Sequence, residues 1–132
     1  MSRRKARETA MQMLFQMDIG ENSWDMASLT LENAGLNEEN RLFVATLVQG
    51  THEHLDKIDT LIATFAKDEW DLGRLAAADR NILRLAIYEL RYHQQTPESV
   101  IINEAVELAK KFGTEASAAF VNALLDKVKE EE

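Results

Sequence analysis

The sequence contains 132 residues, 45% of them hydrophobic and 29% charged, and it is most simply one domain able to bury about two-thirds of its unfolded surface. It lacks cysteine, which excludes disulfides, thiolate chemistry and cysteine-based zinc sites. It also lacks an apolar run of about 18 residues, so we expect no membrane span and a cytoplasmic location. The net charge of −8 argues against a protein coated with nucleic acid, so any contact with a polyanion must be local.

The first predicted helix runs from about residue 3 to residue 19. Ser2 is placed to cap its N-terminus, and Gly20 is placed to end it. Apolar residues recur at the offsets of an amphipathic helix and predict its buried face, which comprises Ala6, Ala10, Met13, Leu14 and Met17.

Four basic residues open this helix, namely Arg3, Arg4, Lys5 and Arg7, and no acid precedes Glu8. Positive charges in a first helical turn oppose the helix dipole, although the cost is small. Composition therefore leaves two interpretations open, ordinary surface charges or a local site for phosphate or nucleic acid. Arginine suits such a site because its guanidinium group forks onto phosphates and stacks on bases.

Three more helices are predicted before residue 70. A short one follows Ser23 and ends before Gly35, and Asn37 caps a third, whose "RLFVATLV" is apolar nearly all round and is therefore expected to be central. Gly50 is expected to mark a hinge between two groups of helices. The fourth helix carries a narrow apolar stripe made of Leu55, Ile58, Ile62 and Phe65.

The C-terminal half predicts three further helices. The stretch "ADRNILRLAIYELRYH" has a broad apolar face through Ile82, Leu83, Ala86, Ile87 and Leu90. Thr96 is placed as the N-cap of the next helix, with Pro97 at its first position. That helix carries Ile101, Ala105, Leu108 and Phe112 inward and ends at Gly113. A final helix begins at Thr114 or Ser117 and turns inward Val121, Leu124, Leu125 and Val128. No segment alternates with a period of two, so the predicted fold is all-α.

The sequence shows no candidate active site. His52 and His54 lie about 200° apart around a helix and cannot share a metal ion. Neighbouring acids such as Asp68, Glu69 and Asp71 are interpreted as a solvated face, and we find neither a glycine-rich phosphate loop nor a nucleophile elbow. We therefore expect no enzymatic activity, no cofactor and no metal.

Several long motifs resemble the bacterial NusB transcription-antitermination family. "RRKARETAMQMLFQMD" is similar to the start of that family, and "ADRNILRLAIYEL", "VIINEAVELAKKFG" and "FVNALLDKV" are similar to its C-terminal half. The resemblance implies an all-α bundle of about seven helices in two three-helix subdomains, with helical groups of about residues 1–50 and 51–132 in one RNA-binding domain. It also implies no enzymatic activity.

The same resemblance implies partners. Family members bind the single-stranded boxA element of ribosomal RNA transcripts together with NusE, a small-ribosomal-subunit protein, within an RNA polymerase antitermination complex. Some members also form homodimers, and we expect Met11 and Phe15 to lie partly outside the buried stripe, where such a dimer would cover them. The alternative is a helical protein-interaction adaptor without specific RNA recognition.

The resemblance also assigns residues. Arg3, Arg4, Lys5 and Arg7 resemble the arginine-rich RNA-binding motif of the family. Phe120 matches the family's aromatic position beside the basic end and is the candidate for stacking on RNA, although a core role suits it equally. Two residues match the protein-partner surface, Phe15 where tyrosine is usual and Asp79 where an acid is expected. Two residues depart from the family pattern. Ala116 lies where some members carry an acidic residue near the RNA, and Ala123 lies where glycine is common.

Overall fold

A computed structural model describes residues 2–20, 24–66 and 75–130. These residues form seven α-helices and no β-strand, which confirms the all-α prediction. The helices are α1 (Arg3–Ile19), α2 (Trp24–Asn33), α3 (Glu38–Glu53), α4 (Leu55–Ala66), α5 (Ala77–Tyr92), α6 (Glu98–Phe112) and α7 (Ser117–Glu130). Ser23 and the acidic group Asp68, Glu69 and Asp71 lie outside the described residues. Within the described ranges, no helix is long and apolar enough to cross a membrane.

Side-chain hydrogen bonds cap the N-termini of α1 and α3. The Ser2 hydroxyl accepts a hydrogen bond from the Lys5 amide at 3.3 Å, and the Asn37 side chain accepts one from the Asn40 amide at 2.9 Å. Both caps were predicted from the sequence. The prediction for Thr96 was wrong, because α6 starts at Glu98 and Pro97 is its N-cap residue.

Helix α5 is the centre of the bundle. It packs against α1, α3, α4, α6 and α7, and it is buried at nearly every position from Asn81 to Leu90. The sequence had instead suggested α3 as the central helix. That helix buries only one face, which includes Phe43, Val44 and Leu47, and it leaves 61% of Leu42 exposed. The difference arises because a continuous apolar run does not reveal how many neighbours a helix has.

One hydrophobic core receives side chains from all seven helices. Helices α2 and α3 pack on α1, helices α6 and α7 pack on α5, and the two sets meet where α5 packs on α1 and α3. The predicted apolar faces of α5 and α7 are buried as expected, and so are Ile58 and Ile62 of α4.

Gly50 is a point of close approach rather than a hinge. It lies inside α3, and that helix ends four residues later at its C-cap residue His54, after which α4 begins directly. A Cβ atom on Gly50 would overlap the aromatic ring of Tyr88 on α5. The missing side chain therefore lets α3 and α5 pack closely at this level.

We expect Gly50→Ala to lower the free energy of unfolding by about 1–3 kcal/mol, the usual range for overpacking a core. Without the overlap, the same change would stabilise a helix by roughly 0.5–1 kcal/mol, so the sign of the effect is diagnostic. Urea unfolding of the variant would measure it, with Thr46→Ala on the exposed face of α3 as the control. A more stable Gly50→Ala variant would contradict the close approach.

Candidate nucleic-acid interface

Arg7 is buried, unlike the other basic residues at the start of α1. Its side chain is 6% exposed, and its Nε and Nη2 atoms donate to the two carboxylate oxygens of Glu89 at 2.7 and 2.9 Å. Nη2 also lies 3.4 Å from the Thr96 hydroxyl, which accepts from it. Arg7 is therefore neither an ordinary surface charge nor open to a phosphate, the two interpretations of the sequence, and it joins α1 to the central helix instead.

Two features of the sequence could have indicated this pair. Arg7 lies three residues before Ala10 and four before Met11, so it falls on the buried side of α1. Glu89 is an acid between Tyr88 and Leu90 in a helix that the sequence predicts to have a broad apolar face. A charged residue on each of two buried faces indicates an ion pair, because a lone buried charge is too costly.

Glu89 keeps Arg7 charged despite its burial. Burial alone would lower the pKa of the Arg7 guanidinium, but its hydrogen bonds and attraction to Glu89 outweigh this effect and raise the pKa. The bidentate geometry gives two parallel charge-assisted hydrogen bonds, the arrangement in which arginine binds carboxylates most strongly.

Arg4 points from α1 towards α6, where it forms a second bidentate pair. Its Nε and Nη2 atoms lie 3.2 and 2.8 Å from the carboxylate oxygens of Glu104. The Arg4 side chain is 59% exposed, whereas that of Glu104 is only 13% exposed. The hydrogen bond from Arg4 holds the pKa of Glu104 below its usual value, so this acid stays ionised beneath an outward-facing guanidinium.

Lys5 shares one acid with a lysine of α6. The ammonium of Lys5 lies 3.9 Å from Glu8, and that of Lys111 lies 2.9 Å from the other oxygen of the same carboxylate. Here too the cations are outside, since the lysine side chains are 46% and 59% exposed and that of Glu8 is 13% exposed. Solvent therefore meets positive groups along this edge of α1.

Arg3 lies on the other side of α1, against α3. Its guanidinium donates to the Asn40 side chain at 3.0 Å and lies 3.9 Å from the centre of the Phe43 ring. It also contacts Glu39 at 3.5 Å, but this acid is more exposed than the arginine, at 79% against 44%. Such exposed pairs are weak, so Arg3 is held mainly by Asn40 and Phe43.

Phe120 lies on α7, half buried and packed against the hydrophobic core. Helix α7 packs on α6, the helix that carries Glu104, the partner of Arg4. This position is compatible with both of the roles expected from the sequence, and the stacking role of Phe120 stays a prediction.

Phe15 lines a groove of about 470 Å³ on a different part of α1. The residues around this groove are Met11, Gln12, Phe15, Gln16, Thr30, Ala78 and Phe112. Phe15 is partly buried, as expected for a contact surface, but Met11 is only 2% exposed. The expectation that Met11 lies partly outside the buried stripe was therefore wrong. Of the two residues expected to form a homodimer surface, Phe15 alone is partly exposed.

Asp79 is buried rather than displayed on a surface. It is 5% exposed, and its Oδ2 atom accepts a hydrogen bond from the Ser117 hydroxyl at 2.9 Å. Its Oδ1 atom is buried and has no hydrogen-bond partner within the described part of the chain. Asp79 thus connects the first turn of α5 to the first turn of α7, and a lysine at this position would destabilise the fold.

His54 and His93 contact the rings of aromatic side chains. His54 stacks on Tyr92 with the ring centres 3.9 Å apart and the planes 7° from parallel. Across residues 2–20, 24–66 and 75–130, no group of three or more acids and histidines is arranged to hold a metal ion. A cavity of about 710 Å³ beside Trp24 contains Asp18 and Arg84, which lie 3.3 Å apart as an ion pair.

We expect Arg7→Ala to lower the free energy of unfolding by about 3–5 kcal/mol, because it leaves Glu89 buried without a partner. Arg4→Ala should change stability little, since that pair faces solvent. Chemical unfolding of both variants would compare them. Replacing Arg7 by methionine and Glu89 by leucine in the same chain should recover much of the lost stability. A double variant as unstable as Arg7→Ala would contradict this explanation.

Comparison with known proteins identifies the family. Residues 4–130 match the NusB family. The transcription antitermination protein NusB of Desulforamulus reducens is 48% identical over 129 residues, which cover 97% of this chain and 90% of that protein. The structure of T. maritima NusB superimposes with a TM-score of 0.89 at 34% identity and covers 100% of this chain and 93% of that one. A chain from the crystal structure of NusB and NusE in complex with double-stranded RNA gives a TM-score of 0.88 at 25% identity, covering 97% and 96%. The chain belongs to the NusB family.

Proposed function

We propose that this protein binds RNA through the basic edge of α1 and acts as a transcription antitermination factor. Its ligand is the single-stranded boxA element of ribosomal RNA transcripts, which it binds together with NusE within an RNA polymerase antitermination complex. The observation that carries this proposal is the arrangement of Arg4 and Lys5, whose positive groups face solvent while their acidic partners lie beneath them.

The relatives support both partners. A structural neighbour combines NusB and NusE with RNA, which in that complex is double-stranded. Lysine and arginine bind the phosphate backbone of either form, so the basic edge does not by itself distinguish them. Recognition of a single strand also needs a surface on which bases stack, and Phe120 is our candidate for that role.

We infer that Arg7 takes no part in the phosphate contacts of the N-terminal motif. Arg7 cannot reach a phosphate without leaving Glu89 unpaired in the core, so it supports the site by holding α1 in place. We therefore assign the phosphate contacts of this motif to Arg3, Arg4 and Lys5.

We expect the logarithm of the RNA association constant to fall with the logarithm of salt concentration at a slope of about −2.1 for three phosphate contacts. Arg4→Gln should change the slope to about −1.4 and weaken binding, whereas Lys57→Gln on the exposed face of α4 should leave both unchanged. Titration of a boxA RNA strand at several salt concentrations would test this.

Three ligands separate the alternatives in that titration. Preference for the boxA strand over a scrambled strand and a duplex supports the proposal. Equal affinity for boxA and scrambled strands would favour the helical adaptor without specific RNA recognition. An unchanged slope in Arg4→Gln would place the RNA site elsewhere.

For the protein partner, we propose the surface formed by the Phe15 groove and the region around Asp79. The ring of Phe15 offers an apolar contact without the hydroxyl that the family usually has at this position. Asp79 has a buried carboxylate oxygen with no hydrogen-bond partner among the described residues, and the low dielectric around it would strengthen its attraction to a basic partner.

We expect Asp79→Asn to weaken NusE binding at least about tenfold, as for loss of a charged hydrogen-bonding group. The thermal midpoint should stay nearly constant, because an amide oxygen can still accept from Ser117. Isothermal titration and thermal unfolding would measure the two effects, with Asp56→Asn as the control, since Asp56 is also a first-turn acid but is exposed. A large drop in the midpoint with normal affinity of the folded protein would assign Asp79 a structural role only.

A further inference from the structure

Helices α1 and α6 both pack on α5, and two ion pairs join them to each other. Arg4 of α1 reaches Glu104 of α6, and one turn further along, Glu8 of α1 reaches Lys111 of α6. Residue numbers increase in the same direction along both helices, so the two helices run parallel. The two pairs are about 6 Å apart along α1.

Lys111 brings a basic residue from the C-terminal half of the chain to the edge of α1. Its ammonium lies on one oxygen of Glu8 at 2.9 Å, and Lys5 approaches the other oxygen at 3.9 Å. The Glu8 carboxylate thus holds the two ammonium groups near each other. Because the acid is covered and both lysines are exposed, an anion arriving from solvent meets the two positive charges first.

We propose that Lys111 contacts an RNA phosphate and extends the nucleic-acid path of this protein from the N-terminal motif onto α6. This proposal rests on the proposed RNA-binding function. One phosphate would lie at Lys111, and the next two along the strand would lie at Lys5 and at Arg4. The path then leads towards Phe112, which follows Lys111 in sequence and lines the groove that contains Phe15.

Lys110 provides a nearly ideal comparison, because it differs from Lys111 mainly in direction. Its side chain is 61% exposed, against 59% for Lys111, and both residues lie in the last turn of α6. Lysine in a last turn stabilises a helix through the dipole, and that role applies equally to both. Lys110, however, pairs with Glu107 of its own helix at 3.3 Å and has no contact with α1 among the interactions described.

The test compares Lys111→Gln with Lys110→Gln in the full-length chain. Added to the three contacts of the N-terminal motif, a fourth contact at Lys111 makes the expected wild-type slope about −2.8. Its loss should reduce the slope to about −2.1 and weaken binding about fivefold at 0.1 M salt. We expect this for Lys111→Gln with both boxA and scrambled RNA strands, because phosphate contacts carry no sequence information. Lys110→Gln should retain the wild-type slope, and circular dichroism should show that both variants fold.

Each result has one meaning. A reduced slope in Lys111→Gln alone supports the proposal. Equal behaviour of the two lysine variants overturns it, and if Arg4→Gln still weakens binding in the same experiment, the proposed function stands without Lys111. A wild-type protein that binds neither strand would overturn both.

Discussion

The buried pair between Arg7 and Glu89 is the constraint on which the basic edge depends. Both side chains are almost completely shielded from water, so each needs the other, and the pair fixes the rotation of α1 on the central helix. Lys5 lies two residues before Arg7, about 200° around the helix, and must therefore face away from the core. Arg3 and Arg4, one turn earlier, flank the buried direction on either side. This explains why Arg3 contacts α3 while Arg4 contacts α6.

The acids near this edge position the cations and also moderate them. A bidentate carboxylate holds the Arg4 guanidinium in one orientation, so less conformational entropy would be lost in the phosphate contact that we propose for it. The same carboxylate reduces the net attraction for an anion. The chain has a net charge of −8, so its overall field repels polyanions, but salt screens this repulsion beyond about 8 Å. At shorter range, a polyanion meets the positive groups of this edge.

The sequence predicted local features well because local features have local causes. Ser2 and Asn37 act as caps through side chains that bond amides three residues away, and the period of the apolar residues identified the buried faces. The burial of Arg7 was missed because its partner lies 82 residues away and a basic run looks the same whether its members are buried or exposed. Gly50 was misjudged for a related reason. Glycine is compatible with a hinge and with a close contact, and only the position of Tyr88 distinguishes them.

The candidate site could be predicted only in part from the sequence, because its residues are also brought together by partners that are distant along the chain. The resemblance identified the N-terminal motif. Lys111 lies far from that motif in sequence, and only its ion pair with Glu8 brings it to this edge.

Charge pairs of this kind also affect specificity. If every cation of the edge were unopposed, any polyanion would bind through counterion release alone. In the proposed function, each of these cations is opposed by an acid of the same protein, so phosphate contacts would contribute less, and base stacking and the protein partner would contribute a larger share of the affinity. Discrimination among RNAs would then depend on contacts that only the correct strand and partner complete.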